Sequence, residues 1–158
     1  NDWPLLTAAM PGTAGSISAR TQGRKSANAP ARTTGNVMQM YMDKGVYGGQ
    51  RYISEETVNE FIRYQFPEND NRRGLGFDKP YFKRSPNGNA AMSASDSSFG
   101  HSGFTGTFTW ADPEHNLVYV FMSNRVHPTR KNTRLYKLNT RTNIQQVLYD
   151  AMEKPPLK

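Results

Sequence analysis

His101 and Ser102 stand side by side among glycines in the run Phe99-Gly100-His101-Ser102-Gly103-Phe104-Thr105-Gly106, the chain's only polar constellation that looks chemical. Glycine weakens a strand. Gly100, Gly103 and Gly106, at intervals of three, therefore mark backbone that must come close to something, either a bulge or a ligand. On residue type alone, a lone histidine is more often a surface or structural residue than a catalytic one. What His101 and Ser102 do depends on the elements that hold them.

Those elements are legible around the constellation. Thr107 to Ala111 alternates polar and apolar residues as a half-buried strand does, and Asp112-Pro113-Glu114-His115-Asn116 supplies turn chemistry. Leu117 to Met122 is a continuous apolar run of the kind a central strand carries. The pattern predicts three consecutive antiparallel strands, Ser98 to Thr105, Thr107 to Ala111 and Leu117 to Ser123. A closing helix, Thr142 to Met152, should pack across them. In that helix Ile144, Val147, Leu148, Ala151 and Met152 fall on one stripe, and Thr142 with Gln145 has capping-box spacing.

Upstream, Asn36 can cap a helix through Val37, Met38, Met40, Tyr41 and Met42, with Gly45 in the stopping position and the methionines packed as core. Val46 to Ile53 reads as a turn-rich connection. Ser54 caps a second helix with Glu55 and Glu56 in its first turn and Val58, Phe61 and Ile62 on its buried face. Residues 67 to 73 form a polar loop. The long loop 79 to 96, with Pro80, Pro86 and Gly88, is either a functional lid or simply mobile. Residues 1 to 35 show no period of two or 3.6 and read as an irregular segment.

Composition sets the outer bounds. A chain of 158 residues could hold a real core, but 35% hydrophobic residues with 13 Gly and 10 Pro is lean for an autonomous fold. The absence of cysteine excludes disulfides and thiolate metal sites. No stretch is apolar for long enough to span a membrane, and the N-terminus has no basic and apolar signal segment, so an exported protein would carry its signal upstream. The formal charge of +7 raises an acidic partner. Arg125, Arg130, Lys131, Arg134, Lys137 and Arg141 cluster with no acid among them, and Tyr136 could stack a base. No nucleic-acid motif accompanies this charge. The favoured reading is a solvated basic loop whose arginines pair with carboxylates elsewhere.

The ordered set of Phe99 to Gly106, the Thr-Trp strand, the Asp-Pro turn and Phe121-Met122-Ser123-Asn124-Arg125-Val126-His127-Pro128 resembles the C-terminal half of a serine hydrolase of the class C β-lactamase and penicillin-binding-protein superfamily. His101-Ser102-Gly103 matches that superfamily's third motif, Lys-Thr-Gly or His-x-Gly. Gly74-Leu75-Gly76-Phe77-Asp78 resembles the short strand before it. Arg130-Lys131-Asn132 and Asn143 to Ala151 are similar to esterase-like members sometimes fused to family 3 β-N-acetylhexosaminidases. Pro11 to Ser18 faintly resembles a Gly-His-Ala-Gly-Leu-Phe-Ser segment of those relatives, but Gln22 to Thr34 departs from the helical lead that follows it there.

The resemblance implies an α+β fold, an antiparallel sheet flanked by helices, with residues 36 to 158 as the C-terminal part of a hydrolase domain. It implies no metal and no cofactor, and a periplasmic or secreted location. It also implies that the family's Ser-x-x-Lys nucleophile and base and its Tyr-x-Asn tyrosine should lie elsewhere. No serine here has lysine three residues on, and none of the eight tyrosines has asparagine two residues on. Both motifs precede the third in the family, so their absence suits a C-terminal portion partnered by the remaining N-terminal part. A non-catalytic binding or scaffold homologue is the alternative. By the resemblance, Phe104 donates its backbone N–H to an oxyanion, His101 and Ser102 contact substrate or proton-relay groups, Gly103 leaves room for the acyl group, and Asn124 and Arg125 bind substrate. Val126 and Thr129 replace the asparagines of true class C enzymes, which points to another acyl or cell-wall-related substrate rather than an antibiotic.

Overall fold

The computed structural model describes residues 5–9, 17–18 and 28–153. Among them, five antiparallel strands form one sheet in the order β2-β1-β7-β6-β5. These are β1 (Leu5–Ala9), β2 (Ile17–Ser18), β5 (Phe99–Ser102), β6 (Phe108–Asp112) and β7 (Leu117–Met122). A small hairpin, β3 (Val46–Tyr47) with β4 (Gln50–Arg51), and four helices complete the architecture: α1 (Asn28–Met42), α2 (Glu55–Ile62), α3 (Arg134–Lys137) and α4 (Thr140–Glu153). The fold is α+β, as the sequence implied.

Both faces of the sheet are covered, and this explains why β7 is apolar without interruption. Leu117, Tyr119 and Phe121 point to one side and join Phe108, Trp110 and Tyr149 of α4 in a core cluster. Val118 and Val120 point to the other and join Phe99, Ala111 and Met38 of α1. β6 is therefore an interior strand with a buried Trp110, Ala111 and Asp112, not a half-exposed one.

The three strands around the turn follow the expected order and register, with Ser102 opposite Phe108 and Asp112 opposite Leu117. β5, however, ends at Ser102 rather than Thr105, because Gly103 to Gly106 folds into a turn closed by Gly106 N–H donating to the Gly103 carbonyl at 2.9 Å. Within residues 1 to 35, read as irregular, β1 pairs with β7 along its whole length (Leu5 opposite Met122, Ala9 opposite Val118). β7 is thereby paired on both sides.

α1 begins at Asn28, eight residues before the cap placed at Asn36. Pro30 sits in the first turn, where a missing N–H costs nothing, and Ala31 and Met38, seven apart, are both buried. Gly35 and Asn36 are poor helix formers, but packing overrides propensity: Gly35 lies flush against Val120. Gly45 ends the helix as expected, its N–H donating to the Met40 carbonyl at 2.8 Å. Val46 to Ile53 is a hairpin around Gly48-Gly49. Ser54 caps α2 by accepting from Thr57 N–H at 3.2 Å, and Val58 is fully buried.

In α4 the buried face is not the expected stripe. Thr142, Gln145 and Tyr149 are buried, Ile144, Leu148 and Met152 are partly so, and Val147 and Ala151 are exposed. Thr142 is inside the helix, its hydroxyl donating to the Asn139 carbonyl, so it makes no capping box. Gln145 accepts from Ala91 N–H at 2.9 Å and Gln146 from Ser93 N–H at 3.1 Å. The second half of loop 79–96 is thus tied beneath α4, with Ala90, Ala91 and Ala94 in the core.

Candidate active site

The site is built on the end of β5. All three spaced glycines are there because neighbouring atoms leave no room, Gly103 because its Cβ would lie 2.2 Å from Thr107 Oγ1. A Cβ on Gly100 would lie 2.2 Å from the Thr109 carbonyl oxygen and 2.4 Å from Trp110 Cε3. Gly106 has φ +92, a left-handed conformation, and its Cβ would meet Leu135 Cδ2 at 2.5 Å and Ser123 Oγ at 2.6 Å. These close approaches are to protein, so at all three glycines the sequence signal for a ligand has a packing cause.

Upstream, Gly74 to Phe77 makes a tight turn that sets Arg73 opposite Asp78, and Asp78 in turn pairs with Gly100 through two backbone hydrogen bonds of 2.7 and 2.9 Å. The expected short strand is reduced to these bridges. Asp78 is 5% exposed and lies between two guanidinium groups, Arg72 Nη1 at 2.7 Å and Arg73 Nη1. Arg73 Nη1 is also 3.3 Å from His101 Nε2, while His101 Nδ1 is 2.9 Å from the Ser102 carbonyl oxygen.

The Gly103 to Gly106 turn projects Phe104, 67% exposed. Its carbonyl accepts from Arg125 Nε at 2.9 Å and from the Tyr136 hydroxyl at 3.2 Å. Among the described residues its N–H donates to nothing. The Arg125 guanidinium lies between two rings, 4.7 Å from the Phe104 centroid and 4.6 Å from that of Tyr136, and also donates to the Arg130 and Asn132 carbonyls. Arg141 packs over Phe108 and Tyr136. Burial pushes its guanidinium down from the usual arginine range. Among the described residues, Arg125 and Arg141 are thus held by carbonyls and rings.

His101, Ser102, Gly103 and Phe104 are contiguous at one end of the sheet. Ser102 faces a cavity of about 180 Å³ that Arg72, Asp78, Asn87, Asn89, Tyr136 and Arg141 also line. Asn124 and Arg125 line a second hollow of about 530 Å³ with His127, Pro128 and Leu138. Loop 79–96 therefore splits: residues 87 to 89 border the cavity beside Ser102, and residues 90 to 94 do not. Sequence reasoning missed Arg73, and it read Asp78 only as the end of a short strand and Tyr136 only as a stacking group. Arg73 and Asp78 are five apart across a Gly-Leu-Gly turn, which is the one signal that could have paired them.

The arrangement offers a backbone N–H without an acceptor among the described residues, at a glycine-flanked turn whose carbonyl is held by Arg125, with Arg73 beside His101 at the end of the same strand. The chain is 34% identical over 105 residues to a candidate D-alanyl-D-alanine carboxypeptidase of Salmonella enteritidis and equally to that of Salmonella newport, an alignment covering 63% of this chain and 22% of each relative. This chain thus matches about a fifth of the curated relatives' length. A β-lactamase from Mycobacterium bovis shares the fold, with a TM-score of 0.53 and 19% identity over 75% of this chain and 42% of that one. The β-lactamase family model matches residues 3–142, most of the sequence, and the chain belongs to that family.

Proposed function

We propose that this chain supplies one wall of a serine hydrolase active site that cleaves an acyl ester or amide through an acyl-enzyme. The observation that carries the reading is the N–H of Phe104, which has no acceptor among the described residues, in a turn whose carbonyl is held by Arg125 and Tyr136. In such a reaction a serine oxygen attacks the acyl carbonyl, the carbonyl oxygen becomes an oxyanion, and collapse expels the leaving group. Water then releases the acid. A backbone N–H aimed at that oxygen stabilises the charge as it develops. The nucleophile, its lysine and the assisting tyrosine would come from sequence outside this chain, which holds neither motif.

His101, Ser102 and Gly103 would line the acyl position, with Asn124 and Arg125 beside it. The carboxypeptidase-type relatives support a cell-wall-related acyl substrate and a periplasmic or secreted setting. No helix among the described residues is long and apolar enough to cross a membrane.

The test is hydrolysis of a short-chain nitrophenyl ester, and of a peptide ending in D-alanyl-D-alanine, by the full-length protein that carries this chain. Phe104→Pro removes the N–H and should reduce turnover on the order of a hundredfold or more. Gly103→Val crowds Thr107, whose Oγ1 would be 2.2 Å from the new Cβ, and should narrow the cleft. Parental turnover in both folded variants would show that this strand is not the oxyanion wall, whereas a full-length protein that hydrolyses neither substrate would leave a binding or scaffold domain.

A further inference from the structure

The tautomer of His101 is fixed by its two neighbours. An arginine can only donate, and a backbone carbonyl can only accept. With Arg73 Nη1 at 3.3 Å from Nε2 and the Ser102 carbonyl at 2.9 Å from Nδ1, the ring's proton is on Nδ1 and Nε2 is an acceptor. His101 therefore has no proton to offer at Nε2. It clamps the Ser102 carbonyl instead, two residues before the Phe104 N–H.

Arg73 is itself positioned from several sides. Its N–H donates to Asn71 Oδ1 at 3.0 Å, its carbonyl accepts from Gln65 N–H at 2.9 Å, and its guanidinium pairs with the buried Asp78. Asp78 is bonded through its backbone to Gly100, the residue before His101. The loop and the strand end are thus tied twice, once by main chain and once by side chains.

We infer that Arg73 is a positioning residue: anchored on Asp78, it holds His101 in the Nδ1–H form as a clamp on the Ser102 carbonyl and places a permanent positive charge at that end of the strand. This rests on the active-site reading only for its catalytic consequence, since the clamp is a property of the fold. It also excludes His101 Nε2 as a proton donor in the resting site. The histidine's role becomes one of geometry, beside the Arg73 guanidinium.

The test uses the full-length protein and two readouts. Nitrogen chemical shifts of His101 should show an unprotonated Nε2 and a protonated Nδ1 in the parent. Arg73→Gln should mix the tautomers, and Arg73→Lys should largely preserve them. In ester hydrolysis, Arg73→Gln should lower kcat/KM about tenfold, but less than about twofold when His101 is already alanine, because coupled residues are not additive. A proton on Nε2 in the parent, an unchanged tautomer in Arg73→Gln, or the same loss in both backgrounds would overturn the inference. A tautomer that shifts as stated in a protein with no acyl hydrolysis would support the clamp and sink the active-site reading alone.

Discussion

The Tyr149 hydroxyl on α4 donates at 2.7 Å to Asp112 Oδ2 at the end of β6, joining the last helix to the turn that follows β6. Asp112 is fully buried and also accepts from Ser95 N–H at 2.8 Å, Ser95 Oγ at 2.6 Å and Glu114 N–H at 3.1 Å, with His115 Nδ1 3.1 Å away. One carboxylate thus holds α4, the end of loop 79–96 and the β6–β7 turn together. Tyr149→Phe should destabilise the protein by about 1.5–3 kcal/mol, the range for a bond to a charged group, read as a lower urea midpoint with unchanged slope.

The same carboxylate gives an acid limb. Burial pushes the Asp112 carboxyl up, but the Ser95 hydroxyl and amide, the Tyr149 hydroxyl and the nearby His115 outweigh it and hold the carboxyl below its ordinary value. A carboxyl lowered on folding stabilises the native state above its unfolded value, near 4, and that stability is lost as pH falls through the folded value. Urea midpoints between roughly pH 5 and pH 2 should therefore fall steeply in the parent and less steeply in Asp112→Asn. Equal slopes would show that other carboxylates carry the acid transition.

Lys79 acts with the opposite sign. It is 3% exposed, its ammonium donates to the Ser97 carbonyl at 2.8 Å and lies 5.2 Å from the Tyr64 ring centroid, and burial pulls its value down to about 8. Between about 8 and the ordinary 10.5 the unfolded chain binds the proton that the folded chain has lost, so stability rises with pH across that window. The drop amounts to roughly 3 kcal/mol of penalty that is present in full at neutral pH. Lys79→Met should raise the urea midpoint at pH 7 and flatten its rise between pH 8 and 9.5. The window stops there because Tyr119 and Tyr149, both raised by burial, begin to oppose the trend as unfolded tyrosines ionise.

How much of this was legible in the sequence varies with the range of the forces involved. The β6–β7 hairpin was, because its turn residues and its apolar run are local. The α1 start was not, since Gly35 and Asn36 argue against a helix and only the packing of Ala31 and Met38 on the sheet overrides them. The α4 stripe was misplaced for a related reason. Gln145 is buried because its carbonyl caps the Ala91 N–H more than fifty residues away, a bond that no periodicity reports. At the candidate site, His101 to Phe104 could be singled out only through the resemblance to the family's third motif. Their surroundings could not, since Arg73 and Tyr136 reach them across the fold rather than along the chain.

Gly100 separates packing from chemistry at the site. Because its Cβ would lie within 2.2 Å of the Thr109 carbonyl oxygen and 2.4 Å of the Trp110 ring, Gly100→Ala must displace backbone or a fully buried side chain. The expected cost is about 3 kcal/mol, at the upper end for overpacking. Thermal unfolding and ester hydrolysis should decline together, whereas Phe104→Pro should affect hydrolysis far more than unfolding. A Gly100→Ala protein with parental stability would mean that this strand edge is looser than its contacts indicate.

Arg125 and Phe104 give the sharpest distinction between a residue that binds substrate and one that shapes the donor. Arg125 Nε is 2.9 Å from the Phe104 carbonyl and 2.7 Å from the Tyr136 hydroxyl, and the flat guanidinium is stacked between the two rings. A lysine ammonium cannot form that fork or lie flat between the rings, so Arg125→Lys keeps the charge and loses the geometry. If Arg125 serves by holding the turn, Arg125→Lys should lower kcat on the order of tenfold with little change in KM, because the oxyanion donor is misplaced in the transition state while substrate binding is kept. If it serves by binding an anionic substrate group, Lys should preserve kcat and KM, and Arg125→Gln should raise KM for the D-alanyl-D-alanine peptide but not for the neutral ester. Tyr136→Phe provides the control: it removes the hydroxyl that shares both Arg125 Nε and the Phe104 carbonyl, and should reproduce a weaker form of the kcat effect without altering charge. A KM effect confined to the charged peptide would reassign Arg125 from the turn to the substrate.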